Sequence, residues 1–138
     1  MQNIIFDVSE SLISEKKSIM LIEPIINKLR EHIPLSLEKY YNILISVTEA
    51  VNNAIIHGNH CDARKIVLFK LQATKEKVTI IIKDEGKGFN PDALDDPRAP
   101  ENLYKDHGRG VFLINELTDS CKITVHPDGT EIIMYFNV

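Results

Sequence analysis

Five stretches of the chain have the apolar and polar pattern of β-strands. They are residues 2–9, 64–72, 77–83, 121–126 and 131–137. A short polar link of four residues joins the second stretch to the third, and Pro127-Asp128-Gly129 between the last two is a strong turn signal. Both of these pairs are therefore predicted to form antiparallel hairpins.

Two stretches carry apolar residues at helical spacing, residues 14–32 and residues 37–57. Pro24 lies inside the first, so we expect either a kink there or a helix that starts near Glu23. The second is the most regular element of the sequence, with its apolar residues in one broad stripe and Ser36 suited to cap its start. We expect this helix to pack its stripe against the sheet.

Between the third and fourth strands, residues 90–106 hold three of the six prolines and five acidic residues, which predicts a mobile loop. A third helix is predicted over residues 111–117, after Gly108-Arg109-Gly110. The order β-α-α-β-β-loop-α-β-β predicts an α+β fold. We expect a two-layer sandwich, with an antiparallel or mixed sheet and the helices on one face.

The length of 138 residues and the ordinary composition, 43% hydrophobic and 26% charged, predict a single globular domain. A net charge of -4 argues against a general nucleic-acid binder. The apolar runs fall short of the ~18–20 residues that span a bilayer, and the N-terminus lacks a secretory pattern. Cys61 and Cys121 make no disulfide framework, so we expect reduced thiols in a cytoplasmic protein.

Five of the six glycines occur in three short clusters, which are the first candidates for chemistry. Gly58 follows the long helix, Gly86 and Gly88 follow a strand, and Gly108 and Gly110 precede a helix. Glycine lets a ligand approach the backbone closely, and a helix N-terminus suits a phosphate. Taken one at a time, the clusters are better explained as plain turns and caps, because a single G-x-G is a weak signal.

Glu49 and Asn53 are the second candidates, because residues four apart on a helix lie side by side. Together with Asn42 and Ser46 they fall opposite the apolar stripe. A carboxylate beside a carboxamide can be a general base beside an oxygen ligand for Mg²⁺. The alternative is a solvated helix face, although this end of the helix is poor in lysine and arginine.

Asp84 is the third candidate, since it stands where a largely apolar strand reaches a glycine turn. Its carboxylate could accept a hydrogen bond from an exocyclic amine such as that of adenine, or it could simply cap its own turn. His57, His60 and Cys61 are possible metal ligands, but no second pair at zinc spacing accompanies them. No serine lies in a strand-to-helix elbow that would indicate a hydrolase nucleophile.

Considered together, the clusters resemble the ordered motifs of the GHKL, or histidine kinase-like, ATPase superfamily. Residues 49–58 resemble its N-box, residues 84–89 its D-x-G-x-G-F box, residues 108–111 its second glycine box, and Gly129-Thr130 its final G-T pair. The small size of the chain and the sequence of its N-box are similar to those of the anti-sigma factor serine/threonine kinases. The resemblance implies a Bergerat-type ATP-binding fold over nearly the whole chain.

Roles for the purine side of a nucleotide site follow from this resemblance. It implies that Asp84 binds the adenine amino group and that Thr130 supports the same edge through water. Gly88 would let the backbone pass close to the base, and Gly86 of the same box would also belong to the nucleotide site.

The phosphate side is implied in the same way. Asn53 would ligate the Mg²⁺ that bridges the phosphates, and Glu49 would act as the general base. Residues 90–106 would form the ATP lid. The second glycine box, Gly108-Arg109-Gly110-Val111, would hold the phosphates with its backbone amides. The family often has a basic residue just before this box, where the chain has Asp106-His107, so the cation near the γ-phosphate would be Arg109 or Lys105.

The resemblance implies a protein kinase that is also an anti-sigma factor. It would sequester a sigma factor and phosphorylate a serine or threonine of an anti-anti-sigma protein with a STAS domain, and it would pair as a homodimer. The alternative is an interaction module that binds ATP with little phosphotransfer. A detached histidine-kinase domain is disfavoured, because the N-box places a glutamate before the asparagine as the anti-sigma kinases do.

Overall fold

The computed structural model describes residues 3–86 and 108–138 of the chain. Its strands are β1 (Phe6–Ile13), β2 (Ile66–Ala73), β3 (Lys77–Lys83), β4 (Ser120–His126) and β5 (Gly129–Asn137). A 3₁₀ segment (Lys16–Leu21) leads into α1 (Ile22–His32), α2 (Leu37–Asn53) continues as a π-helical turn (Ala54–Gly58), and α3 spans Gly108–Leu117. No helix in these two ranges is both long and apolar enough to cross a membrane.

The five strands form one open sheet in the order β1-β2-β3-β5-β4, and each neighbouring pair is antiparallel. Both predicted hairpins, β2–β3 and β4–β5, are present. The α+β class is confirmed, and of the two arrangements left open by the sequence the described strands adopt the antiparallel one. Strand β5 lies between β3 and β4, which brings its first residues beside the end of β3.

One face of the sheet is covered by the helices and the other is open. Successive residues of a strand point to opposite faces, so burial alternates along β2 and β3. The covered face contributes the strand part of the core, including Phe69, Leu71, Ile80 and Phe136. The helices close over this face, and α2 contributes most of their buried apolar residues.

Helix α2 begins as the sequence predicts, with Ser36 at the N-cap accepting a hydrogen bond from the Lys39 amide at 3.0 Å. Its apolar stripe is buried in the core. The polar side opposite that stripe is not a solvated face, because Ser46 is fully buried and Glu49 and Asn53 are half-buried. The long helix is therefore covered on two sides.

The first strand and first helix differ from the predicted bounds. Strand β1 runs from Phe6 to Ile13 rather than over residues 2–9, and Gln2 lies outside the described residues. It is an edge strand whose residues pair with the whole of β2, so its position follows from that pairing more than from its own polar sequence. Of the two alternatives for the first helix, a start near Glu23 is correct, since α1 begins at Ile22 after the 3₁₀ segment.

Other bounds move by a few residues. Strand β2 starts two residues later than predicted, β4 and β5 start one and two residues earlier, and α3 starts at Gly108 rather than after the glycine pair. The predicted loop, residues 90–106, lies outside the described residues.

Asp119 fixes the end of α3 against the rest of the fold. Its carboxylate accepts hydrogen bonds from the Asn137 amide at 2.7 Å and from Lys39 Nζ at 3.1 Å. The bond from the Asn137 amide is the largest cause that holds the pKa of Asp119 below its ordinary value of 3.8, and the Lys39 contact adds to it. The junction between α3 and β4 is thus tied both to β5 and to the start of α2.

Replacing Ile80 by alanine is expected to lower the free energy of unfolding by about 2–5 kcal/mol, because the side chain is fully buried. The matched control is Ile81→Ala, the same change at the next residue of β3, on the open face and only half-buried. We expect the control to cost clearly less in urea unfolding. Equal losses would contradict the assignment of the covered face.

Asp119→Asn is expected to destabilise the protein at pH 7 and to do so less in acid. A carboxyl group whose folded pKa is lowered adds stability above its unfolded pKa, and this is lost as the pH falls through the folded value. The difference between the proteins should therefore shrink below about pH 4. Urea unfolding at pH 7 and pH 3 measures it. The control is Asp128→Asn, which changes an exposed carboxylate 3.7 Å from Lys83. If the difference in free energy of unfolding between Asp119→Asn and the unmodified protein is the same at both pH values, the Asp119 carboxylate does not stabilise the fold in this way.

Candidate functional site

Glu49 and Asn53 lie on α2, which packs against α3. Both side chains are half-buried, and neither hydrogen-bonds another residue that the structure describes. A half-buried carboxylate and carboxamide without protein partners are free to bind a ligand. The structure thus brings these two residues together in the way that the sequence predicts, on one face and one helical turn apart.

The antiparallel packing of α2 and α3 directs the N-terminus of α3 toward the half of α2 that carries this pair. The ion pair between Lys39 and Asp119 places the end of α3 beside the start of α2, and the two helices pack together, so they run in opposite directions. At 1.5 Å per residue, Glu49 lies about 15 Å from Lys39 along α2, and Gly108 lies about 14 Å from Leu117, the last residue of α3. The free amides of the first turn of α3, at Gly108–Gly110, are therefore level with Glu49.

Asp84 forms the second part of the site and is almost completely buried. Its Oδ1 accepts hydrogen bonds from the amides of Gly86 and Thr130, each at 3.0 Å. The bond to Gly86 is the turn-capping contact that the sequence left as an alternative to ligand binding. It uses Oδ1 only, and Oδ2 makes no hydrogen bond within the described ranges, so the two roles are compatible.

Three glycines allow the backbone to close around Asp84. A methyl group on Gly58 would overlap the Asp84 carboxylate, and one on Gly129 would overlap the Asp84 carbonyl oxygen. A methyl group on Gly86 would overlap the carbonyl of Gly58. Gly129 also has a φ of +157°. The glycines of three separate sequence motifs thus meet at one aspartate, which the sequence alone did not establish.

Thr130 joins this arrangement through its backbone. Its amide binds Asp84 Oδ1, and its carbonyl accepts a hydrogen bond from the Asp84 amide at 3.0 Å. Asp84 is therefore held between the end of α2 on one side and the start of β5 on the other.

Asn59 is a site residue that the sequence analysis missed. Its side chain is fully buried and accepts a hydrogen bond from the Glu85 amide at 2.7 Å. Ser46 was assigned to the polar side of α2, yet its hydroxyl is buried and has no hydrogen-bond partner among the described residues. The one sequence feature that could have suggested Asn59 is its position directly after Gly58, the glycine of the first motif. No sequence signal indicates that Ser46 is buried.

The positions of several predicted site side chains are not given by the structure. Gly88 and Lys105 lie outside the described residues, as does the proposed lid. Arg109 lies within the first turn of α3, of which only the backbone is described, so the cation near a phosphate stays a prediction. Val111 is half-buried on α3.

The turn at Asp84 is also accessible from the open face of the sheet. A cavity of about 470 Å³ borders Lys65, Leu68, Lys83 and Asp128 on the open face of the sheet, so it reaches Asp84 from the side opposite to the helices. Within residues 3–86 and 108–138, no three His, Cys, Asp or Glu side chains are grouped as metal ligands.

Comparison with known proteins identifies the family. Residues 14–136 match the model of the histidine kinase-like ATPase domain. The chain is 33% identical over 104 residues to the anti-sigma F factor of Clostridium perfringens, covering 72% of this chain and 73% of that protein. It is 30% identical to the anti-sigma F factor of Oceanobacillus iheyensis over 104 residues, or 72% and 70% of the two chains.

Solved structures share the fold at low sequence identity. The crystal structure of the RsbU and RsbW domains of Rv1364c from Mycobacterium tuberculosis superposes with a TM-score of 0.70 at 14% identity, over 95% of this chain. The chain spans 32% of that protein's length. The mycobacterial sensor histidine kinase MprB superposes with a TM-score of 0.54 at 13% identity, over 96% of this chain and 97% of that one. The chain therefore belongs to the histidine kinase-like ATPase domain family, in the group that includes the anti-sigma F factors.

Proposed function

We propose that this protein binds ATP with Mg²⁺ between α2, α3 and the turn at Asp84, and transfers the γ-phosphoryl group to a serine or threonine of a partner protein. One observation carries the proposal. Glu49 and Asn53 are half-buried, have no partner within residues 3–86 and 108–138, and lie level with the N-terminus of α3. Free helix amides beside a carboxylate and a carboxamide suit a chain of phosphates.

Asp84 would recognise the base at the other end of the nucleotide. Its Oδ2 faces Gly58 and is left over as an acceptor after Oδ1 has bound two backbone amides. An acceptor in a buried place favours a purine that offers a donor, which adenine does with its 6-amino group and guanine does not at the same position.

Transfer would need little covalent chemistry from the protein. Glu49 would accept the proton of the substrate hydroxyl as that oxygen forms a bond to the γ-phosphorus and the bond to the β–γ bridging oxygen breaks, leaving ADP. The carboxamide oxygen of Asn53 is a hard donor of the type that Mg²⁺ accepts, and one protein ligand is enough when phosphates supply others. Bound Mg²⁺ would neutralise negative charge on the phosphates.

The names of the relatives support a regulatory role. Several are anti-sigma F factors. We therefore propose that the chain binds a sigma factor and that its phosphorylation substrate is an anti-anti-sigma protein with a STAS domain. We also propose that the protein is cytoplasmic, that it forms a homodimer, and that residues 1–138 form one domain.

The direct test is to incubate the protein with labelled ATP, Mg²⁺ and the STAS-domain protein encoded nearest to it. Label should appear on a serine or threonine of that protein. Nucleotide binding without transfer would instead support the alternative, an interaction module that uses ATP as a conformational ligand. Absence of ATP binding would refute both.

Glu49→Gln is expected to leave ATP affinity nearly unchanged and to lower the rate of transfer by about 10²–10⁴-fold, the usual contribution of a general base. Single-turnover transfer and equilibrium binding of ATP measure the two effects. Glu38→Gln is the matched control, because it makes the same change at an exposed position of the same helix. If Glu49→Gln still phosphorylates the partner at the original rate, Glu49 is not the base.

Asp84→Asn is expected to weaken ATP binding by about 1–3 kcal/mol, because an amide donor can replace the free acceptor while the oxygen that binds Gly86 and Thr130 is retained. Calorimetric titration with ATP and GTP measures the change. Asp128→Asn, in the β4–β5 turn, is the control. Equal affinities of the unmodified protein for ATP and GTP would exclude recognition of the adenine amine.

A further inference from the structure

Asn59 uses every hydrogen-bonding group of its side chain in a fully buried position. Its Nδ2 donates to Ser14 Oγ at 2.8 Å and to the Ile66 carbonyl at 3.0 Å, and its Oδ1 accepts from the Glu85 amide at 2.7 Å. Burying a carboxamide is costly unless all its groups are bonded, so this arrangement leaves one position for the side chain. Asn59 thereby joins the end of the long helix to three other segments.

The bond to Glu85 acts on the peptide that follows Asp84. The N–H of this peptide binds Asn59, and its carbonyl oxygen, that of Asp84, lies against the Cα of Gly129. The plane of the peptide is thus fixed at both ends. This plane fixes where the Asp84 side chain leaves the backbone, and the bonds from the Gly86 and Thr130 amides to Oδ1 fix its rotation.

The backbone around Asn59 is strained. The Asn59 carbonyl accepts a hydrogen bond from the Asp62 amide at 3.0 Å, and the two residues between, His60 and Cys61, have left-handed φ values of 53° and 56°. A left-handed φ at a non-glycine residue is unfavourable and persists only where its surroundings hold it. The contacts of the buried Asn59 supply that restraint.

We propose that Asn59 is a positioning residue for base selectivity: through the Glu85 amide it holds the Asp84 carboxylate in the direction that reads the 6-amino group of adenine. This inference rests on the proposed ATP-binding function. Without the acceptor of Asn59, the Glu85 N–H loses its buried partner, and the Asp84 carboxylate then depends on its bonds to Gly86 and Thr130 alone, so Oδ2 is held less closely. ATP then loses a hydrogen bond that a purine nucleotide without the amino group never made.

The experiment measures the affinity of each protein for ATP and for purine riboside triphosphate, which has hydrogen in place of the 6-amino group. The unmodified protein should prefer ATP by about 10–100-fold, the value of one hydrogen bond to a charged group. In Asn59→Leu, which has a similar volume and no hydrogen-bonding groups, this preference should fall by about fivefold or more. A purely structural role would weaken both nucleotides equally.

Ser14→Ala is the matched control. It removes a partner of Asn59 in the same buried network but leaves the bond between Asn59 and Glu85, so its preference for ATP should stay within about twofold of the original. An unchanged preference in Asn59→Leu, with normal preference in the unmodified protein, would overturn the inference alone. No ATP binding by the unmodified protein would overturn the proposed function itself.

A measurement on the unmodified protein covers the case in which Asn59→Leu does not fold. Glu85 has an exposed side chain in a turn, yet its amide is bonded to a buried acceptor. Amide hydrogen exchange without nucleotide should therefore be slowed at Glu85 by about 10²-fold or more relative to an unstructured peptide. Exchange at the unprotected rate would show that Asn59 does not hold the turn, and would overturn the proposal.

Discussion

The structure of the site depends on burying the Asp84 carboxylate. A charged group out of water is costly unless hydrogen bonds compensate for the lost solvation. In the described part of the chain the compensation comes from two backbone amides, those of Gly86 and Thr130. Backbone amides can approach so closely only where no side chain intervenes, which explains why glycines converge on this aspartate. These glycines are therefore a consequence of burying Asp84.

The contacts of Asp84 also show that the two roles the sequence left open for it, turn capping and ligand binding, are compatible. A carboxylate before a glycine turn can cap the turn or bind a ligand, and the two explanations compete when only the sequence is known. In the structure one oxygen caps the turn, and the other faces the end of α2 with no hydrogen bond within residues 3–86 and 108–138. Capping holds the group still, and a fixed acceptor discriminates between bases better than a mobile one.

The sequence predicts most of the fold, because periodicity is strong wherever an element has one buried face. Helix α2 and strand β3 have such faces, and their predicted positions agree closely with the structure. Strand β1 was placed about four residues too early, since an edge strand need not be apolar and its position depends on pairing with β2. Ser46 could not be predicted as buried, because burial on the polar side of a helix depends on tertiary packing, which has no local pattern.

The candidate site was predictable in its motifs but not in its internal contacts. Glu49, Asn53 and Asp84 have recognisable neighbours in the sequence. The partners of Asn59, by contrast, are distant or irregular: Ser14 is 45 positions away and Glu85 is 26 away. A buried polar network of this kind has no period, so no local pattern indicates it.

The π-helical turn at Ala54–Gly58 explains how one helix can serve both ends of the proposed nucleotide site. Its wider step, in which the Asn59 amide donates to the Ala54 carbonyl at 2.9 Å, turns the chain relative to a continued α-helix. Gly58 then meets Asp84 and Asn59 meets Glu85, while Glu49 and Asn53 stay on the regular part of α2. Because α2 and β3 share one packed core, the separation between the phosphate end and the purine end is set by that core. Loops could not fix the separation as closely, which is why the residues proposed to bind the two ends of the nucleotide lie on α2 and directly after β3.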